Sequence, residues 1–483
     1  MSNNDKGSEA TRREVLKAFP AAMAAGAANA AQPGNTNRER PNIVMIISDQ
    51  FRWDCVGAAG LNPMHLTPNL DEMAKGGTLF ENAFCNQPVC APARASILTS
   101  RYPSGHGVWR NGIALAPGST TLASVLRQAG YSTNHIGKWH LGGNVGQGDK
   151  ERLGPVPPEF RGGYLDLWQT SNVLELTSHP YEGDLYDNDG KPIHFSGIYR
   201  TDFMTQLAQK FLRSAKSPFF LTISYLEVHH QNDLDAFVPP KEYEGRYKNP
   251  WIPEDLRPLP GSWPSQLGDY YACVAKIDET VGTIRKTLAE AGLSRNTILM
   301  FVADHACHFK TRNPEYKRTP HESSIHIPLV MEGPGFNRSL VVPELVSQVD
   351  LAPSLLAAAG VPVPESMQGH SFLPLLDRHA DGWWNEVYFE MSEFVTGRGL
   401  RTPQYTYAAM APKRPGWKAV PKADQYVEYM MYDLYADPYQ HTNLAGRVPY
   451  RESAEMLRAR LSARITEASN VRASIEPCWF PYS

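Results

Sequence analysis

Short, almost continuously apolar segments alternate with helical patterns over most of this sequence. A strand whose residues are nearly all apolar is buried on both faces, as in a parallel sheet that has helices on each side. The predicted strands are 42–48, 131–136, 219–225, 297–303 and 327–332. The predicted helices are 67–74, 120–128, 202–214, 267–291 and 350–359. We therefore expect an α/β fold with a large, mostly parallel central sheet flanked by helices.

The chain has 483 residues, which is enough for this α/β domain and a smaller one. The pattern changes near the C-terminus, where 404–410 and 426–435 are typical of antiparallel strands and 451–468 of a helix. We predict a large domain at 41–385 and a smaller C-terminal α+β subdomain at 386–483.

We predict two irregular stretches in the large domain, 154–199 and 238–264, which are rich in Pro, Gly and aromatic residues. They are longer than plain connections between elements usually are. We expect them to line a substrate site.

The N-terminus has the features of an export signal. The pair Arg12-Arg13 precedes an Ala-rich segment, and Ala28-Asn29-Ala30 resembles a signal-peptidase site. We predict a twin-arginine signal peptide at 1–30 and a linker at 31–40. The partner in export is then the twin-arginine translocase, and the mature protein is periplasmic or secreted. The apolar segment is too short to cross a bilayer, so we expect no membrane anchor.

Charge and cysteine content exclude several classes of protein. The 47 Lys and Arg against 50 Asp and Glu give a net charge of −3, so no basic field favours nucleic acid. The six cysteines show neither CxxC nor paired spacing, which argues against a zinc ribbon and a disulfide framework.

Polar residues follow two of the predicted buried strands. Asp49-Gln50 comes after the first strand and Asp304-His305 after the fourth. Acidic side chains at the ends of two parallel strands can bind a divalent cation. Either pair alone is equally consistent with an Asp that caps a loop.

The sequence Cys90-Ala91-Pro92-Ala93-Arg94, followed by Leu98-Thr99, resembles the signature of type I sulfatases. In that family the cysteine is oxidised to formylglycine (3-oxoalanine). A buried Cys before a Pro-initiated helix is the alternative interpretation of the short motif alone. Other family motifs occur in the same order over nearly the whole mature chain: Thr67–Leu70, Gly137–Gly142, His229, Asp304-His305 with Lys317, and Tyr432–Leu434. The resemblance implies the fold of the alkaline phosphatase superfamily.

Three positions depart from the usual pattern of that family. Gln50 stands where many members have a second Asp, Ala306 replaces a glycine, and Val228 replaces a proline. None of these changes removes a reactive group, although Gln50 makes the predicted metal site less anionic.

The resemblance also implies cofactors. A formylglycine-generating maturase converts Cys90 to the aldehyde, whose hydrate is the nucleophile. The implied ligands of one divalent cation are Asp49, Gln50, the hydrate at position 90, Asp304 and His305. Calcium is usual in the family, but a nitrogen ligand from His305 is less typical of calcium, so Mg²⁺ and Mn²⁺ stay open. The alternative for His305 is a hydrogen bond to a substrate oxygen.

The remaining catalytic residues are assigned by the same resemblance. Arg94 would hydrogen-bond to the hydrate, and Lys138 and Lys317 would contact the sulfuryl oxygens. His140 would accept the proton of the second hydroxyl. His229 would contact the sulfate or, with Lys317, protonate the leaving oxygen.

These residues predict an exported, formylglycine-dependent sulfuric ester hydrolase that acts on a sulfated carbohydrate. An arylsulfatase and a phosphonate monoester or phosphodiester hydrolase of the same superfamily are the alternatives. Lys138 and His140 argue against the phosphonate hydrolase, because those relatives tend to vary there. A non-catalytic, carbohydrate-binding relative with an unconverted Cys90 is a more remote hypothesis.

Overall fold

The computed structural model describes residues 39–143, 151–413 and 418–478. These described residues form one compact unit. The predicted signal peptide at 1–30 and all but two residues of the predicted linker at 31–40 lie outside the described residues. Among the described helices, none is both long and apolar enough to cross a bilayer.

A twelve-stranded sheet forms the centre of the described residues. Its strands are Asn42–Ser48 (β1), Thr78–Phe84 (β2), Ser132–Lys138 (β3), Leu167–Ser171 (β4), Ser178–His179 (β5), Glu182–Tyr186 (β6), Pro192–Ser196 (β7), Phe219–Ser224 (β8), Thr297–Ala303 (β9), His326–Ile327 (β10), Leu329–Glu332 (β11) and Leu340–Ser347 (β12).

Helices and loops connect these strands. The helices are Pro68–Gly76 (α1), Cys90–Thr99 (α2), Pro103–His106 (α3), Leu122–Gln128 (α4), Leu174–Thr177 (α5), Arg200–Leu212 (α6), Trp263–Glu290 (α7), Glu322–Ile325 (α8), Leu351–Ala358 (α9), Leu373–Leu376 (α10) and Arg451–Ser469 (α11). Helix α1 corresponds to the predicted helix 67–74 and has Thr67 at the N-cap and Pro68 in the first helical position.

The middle of the large sheet is parallel, in the order β9-β1-β8-β3-β4. Every residue of β1, β8 and β9 is buried, which explains why their sequences read as continuous apolar segments. The predicted α/β fold with a mostly parallel central sheet is thereby confirmed. Strands β1 and β9 run in register from Asn42 opposite Thr297 to Ser48 opposite Ala303, so both end at the same level.

Two sequence predictions differ from the structure in detail. The predicted strand 327–332 is divided into β10 and β11 at Pro328, whose nitrogen carries no hydrogen for the sheet. The stretch 154–199, expected to be irregular, contains β4 to β7, which extend one edge of the large sheet. Strands this short leave little apolar pattern in the sequence.

A second, antiparallel sheet lies towards the C-terminus. Its strands are Val387–Met391 (β13), Gly397–Arg401 (β14), Tyr405–Met410 (β15), Gln425–Asp433 (β16) and Ser474–Glu476 (β17), and only β17 pairs in parallel. Helix α11 packs on this sheet through Leu457, Leu461 and Ile465, which recur every four residues and are buried.

Candidate active site

The ends of β1 and β9 and the start of α2 meet at one buried point. Because β1 and β9 end at the same level, Asp49 and Asp304 follow them as neighbours. Cys90 is the first residue of α2 and lies opposite. Ligand atoms of Asp49, Cys90, Asp304 and His305 all lie within 4.8 Å of one another, a spacing that can hold one metal ion. The structure thus brings together four of the five predicted ligands in one cluster, and Gln50 adjoins it.

The side chain of Cys90 is buried, with 1% exposure, and is surrounded by polar groups. Its Sγ lies 2.9 Å from Lys317 Nζ, 3.4 Å from His305 Nε2 and 3.7 Å from Asp49 Oδ1. Burial opposes ionisation of the thiol, but the positive charges of Lys138 and Lys317 outweigh it and lower the pKa of Cys90 well below its usual value. The site therefore stabilises negative charge at this position.

The donor set fits a divalent cation. Gln50 Nε2 donates to Cys307 Sγ at 3.3 Å, whereas Gln50 Oε1 is buried and has no partner among the described residues. His305 Nδ1 faces the Ala306 carbonyl at 3.0 Å, which leaves Nε2 as the atom directed at the cluster. An unpartnered amide oxygen, two carboxylates and an imidazole nitrogen suit Mn²⁺ or Mg²⁺ as well as Ca²⁺.

Arg94 connects the two carboxylates of the cluster. Its Nε donates to Asp304 Oδ2 at 3.1 Å and its Nη2 to Asp49 Oδ2 at 3.2 Å. Its Nη1 donates to Ser224 Oγ at 2.6 Å and to the Lys138 carbonyl at 3.2 Å. The resemblance had placed this guanidinium on the nucleophile, whereas the structure shows it holding the acids that surround the nucleophile.

Lys138, at the end of β3, is fully buried and forms ion pairs with two acids. Its Nζ lies 2.6 Å from Asp49 Oδ2 and 2.9 Å from Glu175 Oε1. Burial opposes the positive charge, but Asp49 raises the pKa of Lys138 above its usual value. The ammonium group that was expected to contact sulfate is thus neutralised by carboxylates in this structure.

His140 faces the same acid. Its Nδ1 lies 3.5 Å from Glu175 Oε1, and its Nε2 lies 3.4 Å from Glu151 Oε1. Burial lowers the basicity of the imidazole, but the negative charge of Glu175 raises the pKa of His140 to about 9. Glu175 therefore contacts both members of the pair Lys138 and His140.

Lys317 and His229 also belong to the site. Besides its contact with Cys90, Lys317 Nζ lies 3.0 Å from His305 Nε2 and 3.4 Å from His229 Nε2. His229 Nδ1 lies 2.6 Å from the carbonyl of His230, so its Nε2 is the atom that faces the site. The neighbouring His230 instead stacks on Tyr316, with ring centroids 4.1 Å apart.

Two polar side chains of the site had not been identified from the sequence. Ser224 is the last residue of β8, and its position at the end of a buried strand could have indicated it. Glu175 lies in the four-residue helix α5, within the stretch that was read as irregular, and carries no motif.

The sequence matches the profiles of known protein families. The family profile described as Sulfatase matches residues 41–361. The chain belongs to the sulfatase family. Its fold is that of the alkaline phosphatase superfamily, and it is a sulfuric ester hydrolase. A second profile, described as the C-terminal region of N-sulphoglucosamine sulphohydrolase, matches residues 315–467 of this sulfatase.

Individual relatives share most of their length with this sulfatase. An "Ulvan-active sulfatase" of Formosa agariphila is 31% identical and aligns over 89% of this chain and 81% of its own. A solved structure described as a complex with its substrate D-glucosamine-2-N,6-O-disulfate has a TM-score of 0.70 and 24% identity, covering 89% of this chain and 99% of its own. The phosphonate monoester hydrolase of Agrobacterium radiobacter has a TM-score of 0.65 and 21% identity, covering 89% and 96%. These two structures support the fold.

Proposed function

We propose that this sulfatase removes sulfate from a sulfated carbohydrate, with formylglycine made from Cys90 as its nucleophile. The observation that carries the proposal is the position of Cys90. It begins α2, and its Sγ contacts both Lys317 and the His305 nitrogen of the candidate cation site. A nucleophile at this position lies within reach of the groups that would neutralise a sulfuryl group.

A cysteine thiol alone does not account for turnover of a sulfate ester, because the sulfated enzyme would still need water to attack sulfur. A formylglycine hydrate has two hydroxyls on one carbon. One hydroxyl oxygen attacks sulfur and loses its proton, while the bond from sulfur to the alcohol oxygen breaks and that oxygen gains a proton. Loss of the proton from the second hydroxyl then re-forms the aldehyde and breaks the carbon–oxygen bond to the sulfate. The required partner is a formylglycine-generating maturase that acts on Cys90.

The side chains around position 90 divide these steps between them. Lys317, which contacts position 90, and its neighbour His229 would stabilise and protonate the leaving oxygen. His140, beside Glu175, would accept the proton of the second hydroxyl. Arg94 and Lys138 hold Asp49 in place. A divalent cation held by Asp49, Gln50, Asp304 and His305 would supply further positive charge for the sulfuryl oxygens.

The carbohydrate part of the proposal rests on relatives and on the surroundings of the site. One relative is named for activity on ulvan, and one structural neighbour is described with a sulfated glucosamine as substrate. In this chain the segment from β4 to β7 borders the reaction centre through Glu175, which lies in α5 between β4 and β5. We also propose export by the twin-arginine translocase, which would place the enzyme where extracellular polysaccharides are found.

A phosphonate monoester or phosphodiester hydrolase is a second candidate. It rests on a resemblance, because relatives with that activity share the nucleophile and residue pairs that match Asp49-Gln50 and Asp304-His305, and the fold of the phosphonate hydrolase cited above is similar. Lys138 and His140 both lie at the reaction centre, and in the sequence they favour the sulfatase.

The first measurement is the mass of the peptide that contains Cys90, from protein exported by its native host. Replacement of the thiol by an aldehyde is expected, and an intact thiol would favour the non-catalytic alternative. The same preparation is then assayed with 4-nitrophenyl sulfate, an aryl phosphonate and a panel of sulfated polysaccharides whose sulfate release is measured by ion chromatography. Sulfate release from a polysaccharide is expected.

Turnover of the aryl sulfate alone would make the protein an arylsulfatase, and a preference for the phosphonate would overturn the proposal. The matched control is Cys90→Ala, which is expected to abolish turnover and keep the thermal transition of the fold.

A further inference from the structure

The side-chain amide of Gln50 has two ends that differ in chemistry, and only one of them can bind a cation. Gln50 is fully buried, and its backbone is fixed on both sides: its N–H donates to Asp304 Oδ1 at 3.2 Å, and its carbonyl accepts from the hydroxyl of Tyr270 at 2.9 Å. The amide oxygen has lone pairs, whereas the NH₂ group offers only hydrogens. Gln50 can therefore be a ligand only when its Oε1 points at the cation.

The sulfur of Cys307 binds the NH₂ end of this amide. Gln50 Nε2 donates to Cys307 Sγ at 3.3 Å, and Gln50 Oε1 is left as a buried atom without a partner among the described residues. A buried acceptor without a donor is costly, so Oε1 calls for a cation or a hydrogen-bond donor. The contact with sulfur thus leaves free the end of the amide that a cation needs.

The backbone of Cys307 is held in place by a separate contact. The carbonyl of this fully buried residue accepts from Arg52 Nη1 at 2.7 Å. The guanidinium of Arg52 is itself buried and forms ion pairs with Asp54 at 2.6 Å and Asp255 at 2.8 Å. A planar guanidinium bound on several sides has little freedom to move. The sulfur therefore offers the amide of Gln50 a fixed acceptor.

A carboxylate in place of the Gln50 amide would need no such partner. Both oxygens of a carboxylate can bind a cation, so a rotation by 180° leaves the ligand unchanged. The same rotation of an amide replaces the oxygen with an NH₂ group, whose hydrogens a cation repels. A glutamine ligand therefore requires a neighbour that selects the orientation of its amide, and Cys307 is in the position to do so.

We propose that Cys307 is a positioning residue for the cation site: its sulfur selects the orientation of the Gln50 amide in which Oε1 faces the cation. The inference deepens the proposed function and rests on one part of it, the divalent cation held by Asp49, Asp304 and His305. Partners that orient a metal ligand typically change metal affinity by about 10–100-fold.

The test measures metal binding rather than turnover. Mn²⁺ and Ca²⁺ are each titrated into chelator-treated protein, and the affinity is obtained from the rise of the thermal transition temperature. Cys307→Ala removes the acceptor, and we expect its affinity for both cations to fall by about tenfold. Cys307→Ser matches the alanine variant in size but keeps an acceptor oxygen, so we expect an affinity within about twofold of wild type.

A second substitution, at the amide itself, tests whether the effect depends on its orientation. Gln50→Glu puts a carboxylate on a side chain of the same length, and either of its oxygens can face the cation. In this background Cys307→Ala should change the affinity by less than about twofold, so the two substitutions are non-additive. The control Cys273→Ala removes another buried sulfur, in α7, and is expected to keep the wild-type affinity.

The possible results separate this inference from the cation site itself. If wild-type protein binds neither cation, the proposed cation site and this inference are both wrong. If wild type binds a cation and Cys307→Ala keeps the wild-type affinity, the inference is wrong and the cation site stands. The same holds if Cys307→Ser loses as much affinity as Cys307→Ala, or if the loss persists in the Gln50→Glu background. Cys307→Val, which also lacks an acceptor but fills the space of the sulfur, replaces Cys307→Ala if the alanine variant shows no thermal transition.

Discussion

The ammonium group of Lys317 contacts the predicted nucleophile directly: its Nζ lies 2.9 Å from Cys90 Sγ. Within the described residues no carboxylate forms an ion pair with Lys317, whereas Lys138 pairs with both Asp49 and Glu175. The charge of Lys317 is thus available to an anionic substrate, and that of Lys138 is used to fix the acids. The two lysines that the sequence presented as equivalent have different roles in the structure.

Lys317→Ala should therefore slow hydrolysis of sulfate esters by about 10²–10³-fold in kcat, since it removes a positive charge from a water-poor site. An alkyl or sugar sulfate should lose more activity than 4-nitrophenyl sulfate, because nitrophenolate leaves without needing a proton. Steady-state kinetics with both esters measure this. Lys286→Ala, on an exposed face of α7, is the control. Equal losses on the two esters would mean that Lys317 has no part in protonating the leaving oxygen.

Arg94→Ala should destabilise the metal-free protein. It leaves Asp49 and Asp304 buried without the guanidinium that bonds to both, which typically costs about 3–5 kcal/mol in unfolding free energy. A divalent cation would compensate the same two charges. We therefore expect metal-free Arg94→Ala to have a lower thermal transition temperature than metal-free wild type. Added Ca²⁺ or Mn²⁺ should raise this temperature more in the variant than in wild type. An equal gain in the two proteins would contradict a shared role for Arg94 and the cation.

The sequence predicted the parts of this site that follow buried strands. Strands β1 and β9 have the predicted bounds, 42–48 and 297–303, because continuous apolar segments end sharply at Asp49 and Asp304. Parallel pairing then places these acids side by side, so the metal cluster could be predicted from topology.

The partners of the charged residues could not be predicted in the same way. Glu175 lies in a single helical turn between short strands, and its contacts with Lys138 and His140 depend on how β3 and β4 pair. Such contacts arise from tertiary packing, which leaves no periodic pattern in the sequence. For the same reason the motif around Arg94 indicated a catalytic arginine without showing that it binds the two acids.

The nitrogen of His305 should influence which cation the enzyme prefers. His305→Asn replaces an imidazole nitrogen with an amide oxygen, and oxygen ligands favour Ca²⁺ over Mn²⁺. We expect the ratio of Ca²⁺ to Mn²⁺ affinity to rise by about tenfold, as measured by titrating each metal into chelator-treated protein and recording the thermal transition. The control is His326→Asn, at a residue that stacks between Trp53 and Phe84. An unchanged ratio in His305→Asn would show that His305 is not a ligand.

Glu175 imposes a pH dependence on His140. The groups that face this imidazole are Glu175, Glu151, Lys138 and Cys90, and the net effect raises the pKa of His140 to about 9 from the usual 6.5. A raised histidine pKa means that the charged form stabilises the fold fully below pH 6.5 and that this contribution is lost as the pH rises through about 9. Neutral His140, the form that accepts a proton, accumulates over the same interval.

Activity that depends on His140 as a base should therefore increase with pH to values above the usual histidine range, because the negative charge of Glu175 raises the pKa of His140. Conversion of Cys90 to formylglycine removes the thiol but leaves Glu175 in place. Glu175→Gln removes the neighbouring negative charge, lowers the pKa of His140 and should shift the rising limb of the kcat profile to lower pH. Glu182→Gln, at an exposed position of β6, keeps the wild-type limb. A limb that stays unchanged in Glu175→Gln would mean that another group is the base.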